Sequence, residues 1–161
     1  MTDTIHEIER KIFSSFGEVA SSIGYSSIHG QIIGALLVQG KPVSLQEVAA
    51  ATGYSPSMIS LSLDLLEVFG IVRTFKKSND RKLYIELSGD LLESLKRAII
   101  TKVEKSVANS LKDFEESKKA LESLSGEDKE RVLKTIHVLE KHVKRLQVYT
   151  KLLDDMKLPQ S

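Results

Sequence analysis

The densest group of cationic side chains in this 161-residue chain lies within one short segment. Its members are Arg73, Lys76, Lys77, Arg81 and Lys82, opposed there only by Asp80. Ammonium and guanidinium groups held close together neutralise phosphates, and each phosphate contact adds about 0.9 to the salt dependence of binding. The same charges could instead blunt a solvated sheet edge against aggregation. Residue type alone leaves both interpretations open, so the elements that carry the cations must decide between them.

Two capped helices precede this segment. Ser44 and Glu47 have the spacing of a capping box, which predicts a helix that ends near Gly53. Ser55 then predicts the cap of a second helix, with Pro56 at its first position, where the missing N–H costs nothing. Start and stop signals this close together predict a helix-turn-helix.

The second of these helices, called the reading helix below, has two chemically different faces. Ile59, Leu63 and Leu66 recur at spacings of four and three and predict the buried stripe. The opposite face combines small polar, apolar and acidic side chains. With the cap, the candidate contact residues of this helix are Ser55, Ser57, Met58, Ser60, Leu61 and Asp64. The helix has no Lys or Arg, so it offers hydrogen bonds and apolar contacts without charge neutralisation.

A β-hairpin is predicted immediately after the reading helix. Gly70 ends the helix, and residues 71–76 and 82–87 read as strands joined by turn-forming residues at 78–80. All five cations fall on this hairpin, which is called the wing below. A basic hairpin behind a capped helix-turn-helix favours phosphate contact over a merely solvated edge.

Residues 55–73 and the run Asp80-Arg81-Lys82 resemble the MarR superfamily of winged-helix transcriptional regulators. Residues 25–34 and the long helical tail resemble its GbsR-type branch. The resemblance implies a homodimer bound to double-stranded DNA, with the reading helix in the major groove and the wing in the minor groove. It also implies a small-molecule effector, bound between the winged helix-turn-helix and the dimer helices near aromatic residues. The candidates are Phe13, Phe16, Tyr25 and Phe114.

The remaining segments predict a mainly α chain with a winged helix-turn-helix at 25–88, flanked by a dimerisation region at 1–24 and 89–161. The first helix carries an apolar stripe of Ile5, Ile8, Ile12, Phe16, Val19 and Ile23. Ser88 is expected to cap a long helix over residues 90–124. The last helix carries a heptad seam of Val132, Ile136, Leu139, Val143, Leu146, Thr150 and Leu153. An intramolecular hairpin accounts for part of these stripes, and a homodimer is the favoured account of the rest.

Composition fits an intracellular globular protein. The 41% hydrophobic content is enough for one core, and the absence of cysteine excludes disulfides and thiolate metal sites. The longest apolar run, residues 32–38, is far shorter than the roughly 20 residues of a membrane span. We therefore expect a cytoplasmic protein without a membrane partner.

No catalytic constellation is predicted. His137 and His142 lie five residues apart, about 140° round a helix, so they do not share a face as metal ligands. Ser57 and Ser60 have no nearby histidine to activate a hydroxyl. We expect no enzyme, no cofactor and no metal. The competing hypothesis is a winged-helix module that binds protein without direct DNA binding, since the reading helix is apolar over much of its circumference.

Overall fold

The computed structural model describes residues 2–159. Contacts between Cα atoms divide the chain into two compact units, an N-terminal unit that ends at Leu95 and a C-terminal unit that begins at Lys96. The N-terminal unit contains α1 (Thr2–Ser22), α2 (Ser27–Gln39), β1 (Val43–Ser44), α3 (Leu45–Thr52), α4 (Pro56–Val68), β2 (Val72–Lys76) and β3 (Leu83–Leu87). Helix α5 (Leu91–Glu122) begins in that unit and continues into the C-terminal unit, which also contains α6 (Glu127–Asp155).

Helix α2 lies at the centre of the N-terminal unit. It contacts α1, α3, α4 and β3, and its buried apolar residues include Ile28, Ile32 and Leu36. Ile32 is completely buried, as are Ile59 of α4 and Ile85 of β3. A largely apolar helix surrounded by other elements is the expected arrangement for a core helix.

Small residues let α1 and α2 approach closely. A Cβ atom added at Gly30 would lie 1.9 Å from the carbonyl oxygen of Phe16, and one added at Gly17 would lie 2.4 Å from the hydroxyl of Ser27. Phe13 is buried on the face of α1 that includes Gly17. Much of the stripe predicted for α1 is exposed: Ile5, Ile8, Ile12 and Val19. The helix therefore has one face that packs closely on α2 and a second, apolar face that is exposed to solvent in the single chain.

The wing belongs to a three-stranded antiparallel sheet in the order β1-β3-β2. Within the wing, Arg73 lies opposite Glu86 and Phe75 lies opposite Tyr84. The two predicted strands are confirmed, each starting one residue later than expected. The sequence did not predict β1, because a two-residue strand is too short to show an alternating pattern.

In the C-terminal unit, α5 and α6 form an antiparallel hairpin. The Lys118 ammonium lies 3.2 Å from the Glu140 carboxylate. Nearer the other end, Lys96 donates hydrogen bonds of 3.1 and 3.0 Å to the backbone carbonyls of Asp154 and Met156. The heptad seam of α6 is only partly covered: Ile136 and Thr150 are buried, whereas Leu139, Leu146 and Leu153 are exposed.

The cap of α5 differs from the sequence prediction. Asp90, not Ser88, accepts hydrogen bonds from the backbone N–H groups of Leu92 and Glu93, at 2.8 and 3.1 Å. The backbone N–H of Ser88, two residues before the cap, donates to the carbonyl of Ile71. A carboxylate at the first turn also complements the positive end of the helix dipole. Within residues 2–159, no helix is both long and apolar enough for a membrane span.

Candidate nucleic-acid interface

Local caps set the angle between α3 and the reading helix α4. The Ser44 hydroxyl accepts a hydrogen bond from the Glu47 N–H, and the Ser44 N–H donates to the Glu47 carboxylate at 2.8 Å. Gly53 ends α3 with φ near +78°, a conformation that glycine adopts without strain. The Ser55 hydroxyl then accepts from the Met58 N–H at 3.2 Å, with Pro56 in the first turn. Both predicted caps are confirmed.

The side chains of α4 separate cleanly into a buried and an outward face. Ile59, Leu63 and Leu66 are buried, and the Ser62 hydroxyl donates to the carbonyl of Met58 within the helix. The predicted contact residues are all exposed: Ser55, Ser57, Met58, Ser60, Leu61 and Asp64. Of these, Leu61 has 76% of its surface in water. The outward face is therefore free to meet a partner.

The wing tip is held by a turn built around Asp80. Its carboxylate accepts hydrogen bonds from the backbone N–H of Lys82 at 3.0 Å and from the Tyr84 hydroxyl at 2.7 Å. These two bonds lower the pKa of the Asp80 carboxyl, because both donors stabilise its ionised form. The Lys77 ammonium lies 3.9 Å from the centre of the Tyr84 ring, a cation–π contact. Asp80 thus organises the turn that presents the cations.

The five predicted wing cations are not equivalent. Lys76, Lys77, Arg81 and Lys82 are exposed. Arg73 is exposed as well, but its guanidinium is paired with the Glu86 carboxylate on the neighbouring strand. Arg73 would have to leave or share that partner to meet a phosphate. The four remaining cations are thus the stronger candidates for phosphate contacts.

A side-chain contact that the sequence analysis missed ties the reading helix to the wing. The Glu67 carboxylate, near the end of α4, accepts a 3.0 Å bond from the Thr74 N–H and a 2.6 Å bond from the Thr74 hydroxyl. Both residues are ordinary surface types seven positions apart, so only the position of β2 beside α4 reveals the pair. It limits the movement of the basic strand relative to the reading helix.

The candidate ligand aromatics are divided between the two units. Phe13, Phe16 and Tyr25 belong to the N-terminal unit, and Phe114 to the C-terminal unit. Tyr25 packs edge-on against Phe69 with ring centres 5.8 Å apart, and burial raises the pKa of its hydroxyl. Phe13 borders an open groove of about 610 Å³, with Arg10 and Gln39 among its other lining residues. Within residues 2–159, no group of three or more His, Cys, Asp or Glu side chains could hold a metal ion.

Comparison with known proteins places this geometry in a known fold. The sequence matches no protein-family model, and no curated protein matches it. A crystal structure of a transcriptional regulator superposes with a TM-score of 0.53 at 20% identity, over 89% of this chain and 98% of that one. The regulator BldR from Sulfolobus solfataricus gives 0.41 at 20% identity, over 89% and 90% of the two chains. A point mutant of MepR from S. aureus, bound to an oligodeoxyribonucleotide, gives 0.43 at 17% identity, over 90% and 96%. The chain thus has the winged helix-turn-helix fold, mainly α with a small antiparallel sheet.

Proposed function

We propose that this protein is a sequence-specific DNA-binding transcriptional regulator of the MarR superfamily and its GbsR-type branch. In this proposal it acts as a homodimer on a pseudo-palindromic operator and responds to a small-molecule effector. The observation that carries the proposal is the pairing of a reading helix capped by Ser55, with its outward face exposed, and a basic wing fastened to that helix through Glu67 and Thr74. Helix-turn-helix proteins read bases with such a helix while adjoining elements contact the backbone.

The charge distribution supports different roles for the two elements. The reading helix has no cation, so its contribution is hydrogen bonding and apolar contact with base edges. The exposed cations Lys76, Lys77, Arg81 and Lys82 supply the attraction to phosphates. The net charge of the chain is only +1, so attraction to phosphates depends on a local cluster of cations. The wing provides such a cluster. We infer that the wing sets affinity and the reading helix sets sequence preference.

The exposed leucines of α6 and the isoleucines of α1 support the homodimer. The stability of a helix comes mostly from packing its apolar face against another element. In the single chain these apolar faces are exposed to solvent, so a second copy could cover them. A two-fold dimer would present two reading helices about one turn of DNA apart, which matches a pseudo-palindromic site. The groove beside Phe13 is the best candidate for an effector site in the N-terminal unit.

The decisive experiment is selection of bound duplexes from a random DNA pool, followed by titration of the best duplex at several salt concentrations. For Arg81→Ala we expect weaker binding to all duplexes alike and a salt slope smaller by about one phosphate contact. Lys119→Ala, a cation of α5 outside the wing, is the matched control and should change neither quantity. An unchanged affinity and salt slope for Arg81→Ala would remove the wing from the DNA interface.

The alternative function is a winged-helix module that binds another protein. Leu61 and Val68 favour it, because they leave 76% and 74% of their surface exposed on one side of α4. Salt dependence separates the two functions, since phosphate contacts weaken steeply with salt and an apolar protein contact does not. A pool that yields no preferred duplex would favour this alternative.

A further inference from the structure

One line of side chains runs along the middle of the outward face of α4. Ser57, Leu61, Asp64 and Val68 are spaced by four, three and four residues, which places them within one narrow sector of a helix with 3.6 residues per turn. The buried residue Leu66 lies on the opposite side. Leu61 and Asp64 are the two central members of this line, between Ser57 in the first turn and Val68 at the end of the helix.

We propose that Leu61 and Asp64 determine the operator sequence by reading two neighbouring base pairs, Leu61 a thymine methyl group and Asp64 a cytosine amino group. The inference rests on the proposed function, because it requires α4 to enter the major groove. It adds a chemical prediction about the operator, which is that each half-site contains a thymine and a cytosine one base-pair step apart.

Leu61 can recognise only one group on the edges of the bases. Its side chain forms no hydrogen bonds, and the C5-methyl of thymine is the apolar group that base pairs present in the major groove. A single exposed leucine on a protein surface is unremarkable by itself. Its position in the middle of the outward face of a helix without cations gives it a role in readout.

The carboxylate of Asp64 limits which base can face it, because it can only accept hydrogen bonds. An ionised carboxylate only accepts hydrogen bonds, so it is repelled by phosphates and by the acceptor atoms of guanine. Donors in the major groove are the amino groups of cytosine and adenine. The adenine amino group has an acceptor on both sides, its own N7 and the thymine O4, whereas the cytosine amino group has one only on the guanine side. Asp64 is exposed and forms no ion pair within residues 2–159, so its carboxylate is available for cytosine.

The separation of the two residues along α4 is larger than one base-pair step. Three residues advance about 4.5 Å along a helix. One base-pair step advances about 3.4 Å. A helix lying along the groove therefore brings Leu61 and Asp64 to adjacent pairs rather than to the same pair.

The thymine contact is tested by replacing thymines of the selected duplex, one at a time, with deoxyuridine, which lacks only the methyl group. For the wild-type protein, one thymine in each half-site should be sensitive, with affinity falling about fourfold per half-site, the weight of one buried methyl group. Leu61→Ala should bind the thymine and uracil duplexes equally. Leu124→Ala replaces an exposed leucine in the α5–α6 turn and should keep the wild-type sensitivity.

The cytosine contact is tested by selecting duplexes again with Asp64→Asn. An asparagine side chain pairs with adenine N6 and N7 through two hydrogen bonds. The preferred base beside the sensitive thymine should therefore change from cytosine to adenine, by about tenfold in relative affinity. If Asp64 only weakened phosphate contact, Asp64→Asn would bind all duplexes more tightly and select the same sequence, which would overturn the assignment.

The outcomes also separate this inference from the function on which it rests. A wild-type protein that enriches no sequence overturns both. A wild-type protein that enriches a pseudo-palindrome, but whose binding is indifferent to every uracil substitution, overturns the Leu61 assignment and leaves DNA binding intact. Both substituted residues are exposed, so the variants should unfold at the wild-type temperature, and this is checked by circular dichroism.

Discussion

The N-terminal and C-terminal units use their apolar side chains in opposite ways. In the N-terminal unit, Ile32, Ile59 and Ile85 come from a central helix, the reading helix and the wing, and all three are completely buried. In the C-terminal unit, α6 leaves Leu139 and Leu146 each 45% exposed along its seam. The first unit closes a core within one chain and leaves apolar side chains open mainly on α1 and on the outward face of α4, whereas the helix pair of the second leaves its own seam open for a partner.

This difference indicates where each unit is vulnerable. A self-contained core depends on close packing, so it is damaged by atoms that do not fit. A helix pair with an open seam depends on what covers the seam, so it is damaged by charge placed there. Substitutions of these two kinds should therefore have separate effects, one on unfolding and the other on assembly.

The largest effect is expected from Gly30→Ala in α2. The new methyl group would lie 1.9 Å from the Phe16 carbonyl oxygen and 2.8 Å from the Gly17 nitrogen, so α1 would have to move away. Because both obstacles are backbone atoms, we expect a loss of about 3 kcal/mol or more in the free energy of unfolding, at the upper end for overpacking. Chemical denaturation monitored by circular dichroism measures it.

Gly40→Ala is the matched control for this substitution. Gly40 has φ near +61°, but a Cβ there meets no atom within 4 Å. Its cost should be limited to the left-handed backbone, about 1–2 kcal/mol. Equal losses for the two variants would show that the close approach of α1 and α2 does not limit stability.

The next effect concerns the open seam of the C-terminal unit. Leu146→Asp puts a charge on an exposed apolar position, where the single chain should tolerate it. If the seam covers a second copy, burying an unpaired carboxylate is strongly unfavourable, and the dimer dissociation constant should rise at least a hundredfold. Light scattering at micromolar concentration measures the change.

The same variant connects assembly to DNA binding. Two linked half-sites raise the effective concentration for the second contact, so a monomer should bind a palindromic duplex far more weakly. Leu124→Asp changes an exposed leucine outside the seam and should leave mass and affinity as in the wild type. A wild-type protein that is already monomeric at these concentrations would contradict the homodimer.

The features that the sequence predicted well are those determined by neighbouring residues. Ser44 with Glu47, Gly53, and Ser55 with Pro56 each specify a helix end through atoms within a few positions, and all of these ends are present. Local chemistry of this kind does not depend on the tertiary structure.

Apart from the cap of α5, the features that the sequence missed depend on elements distant along the chain. The face of α1 that packs on α2 is marked by Gly17, which carries no hydrophobic signal and fits by shape alone. The pairing of Glu67 with Thr74 needs β2 beside α4, and Arg73 meets Glu86 only through the strand register. Exposed charge alone therefore did not reveal that Arg73 has a partner within the chain, and its role as a phosphate contact stays a prediction.

The smallest expected effect tests the local chemistry of the N-terminal unit through pH. Hydrogen bonds from the Ser44 hydroxyl and the Ser44 N–H lower the pKa of the Glu47 carboxyl in the folded protein. A carboxyl whose pKa is lowered by folding stabilises the native state above its unfolded-state pKa of about 4.3, and this contribution is lost as pH falls through the folded-state pKa. Glu47→Gln should therefore be slightly less stable than wild type at pH 7, and the difference should shrink as the pH is lowered below about 4.

Ser44→Ala, which removes the cap hydroxyl, should cost about 1 kcal/mol at pH 7. In that background Glu47→Gln should change the acid dependence less, because the principal hydrogen bond that lowers the pKa is gone. Thermal unfolding of the four proteins between pH 3 and pH 7 measures this coupling, and a Glu47 effect that is independent of both pH and Ser44 would contradict the proposed role of the capping box.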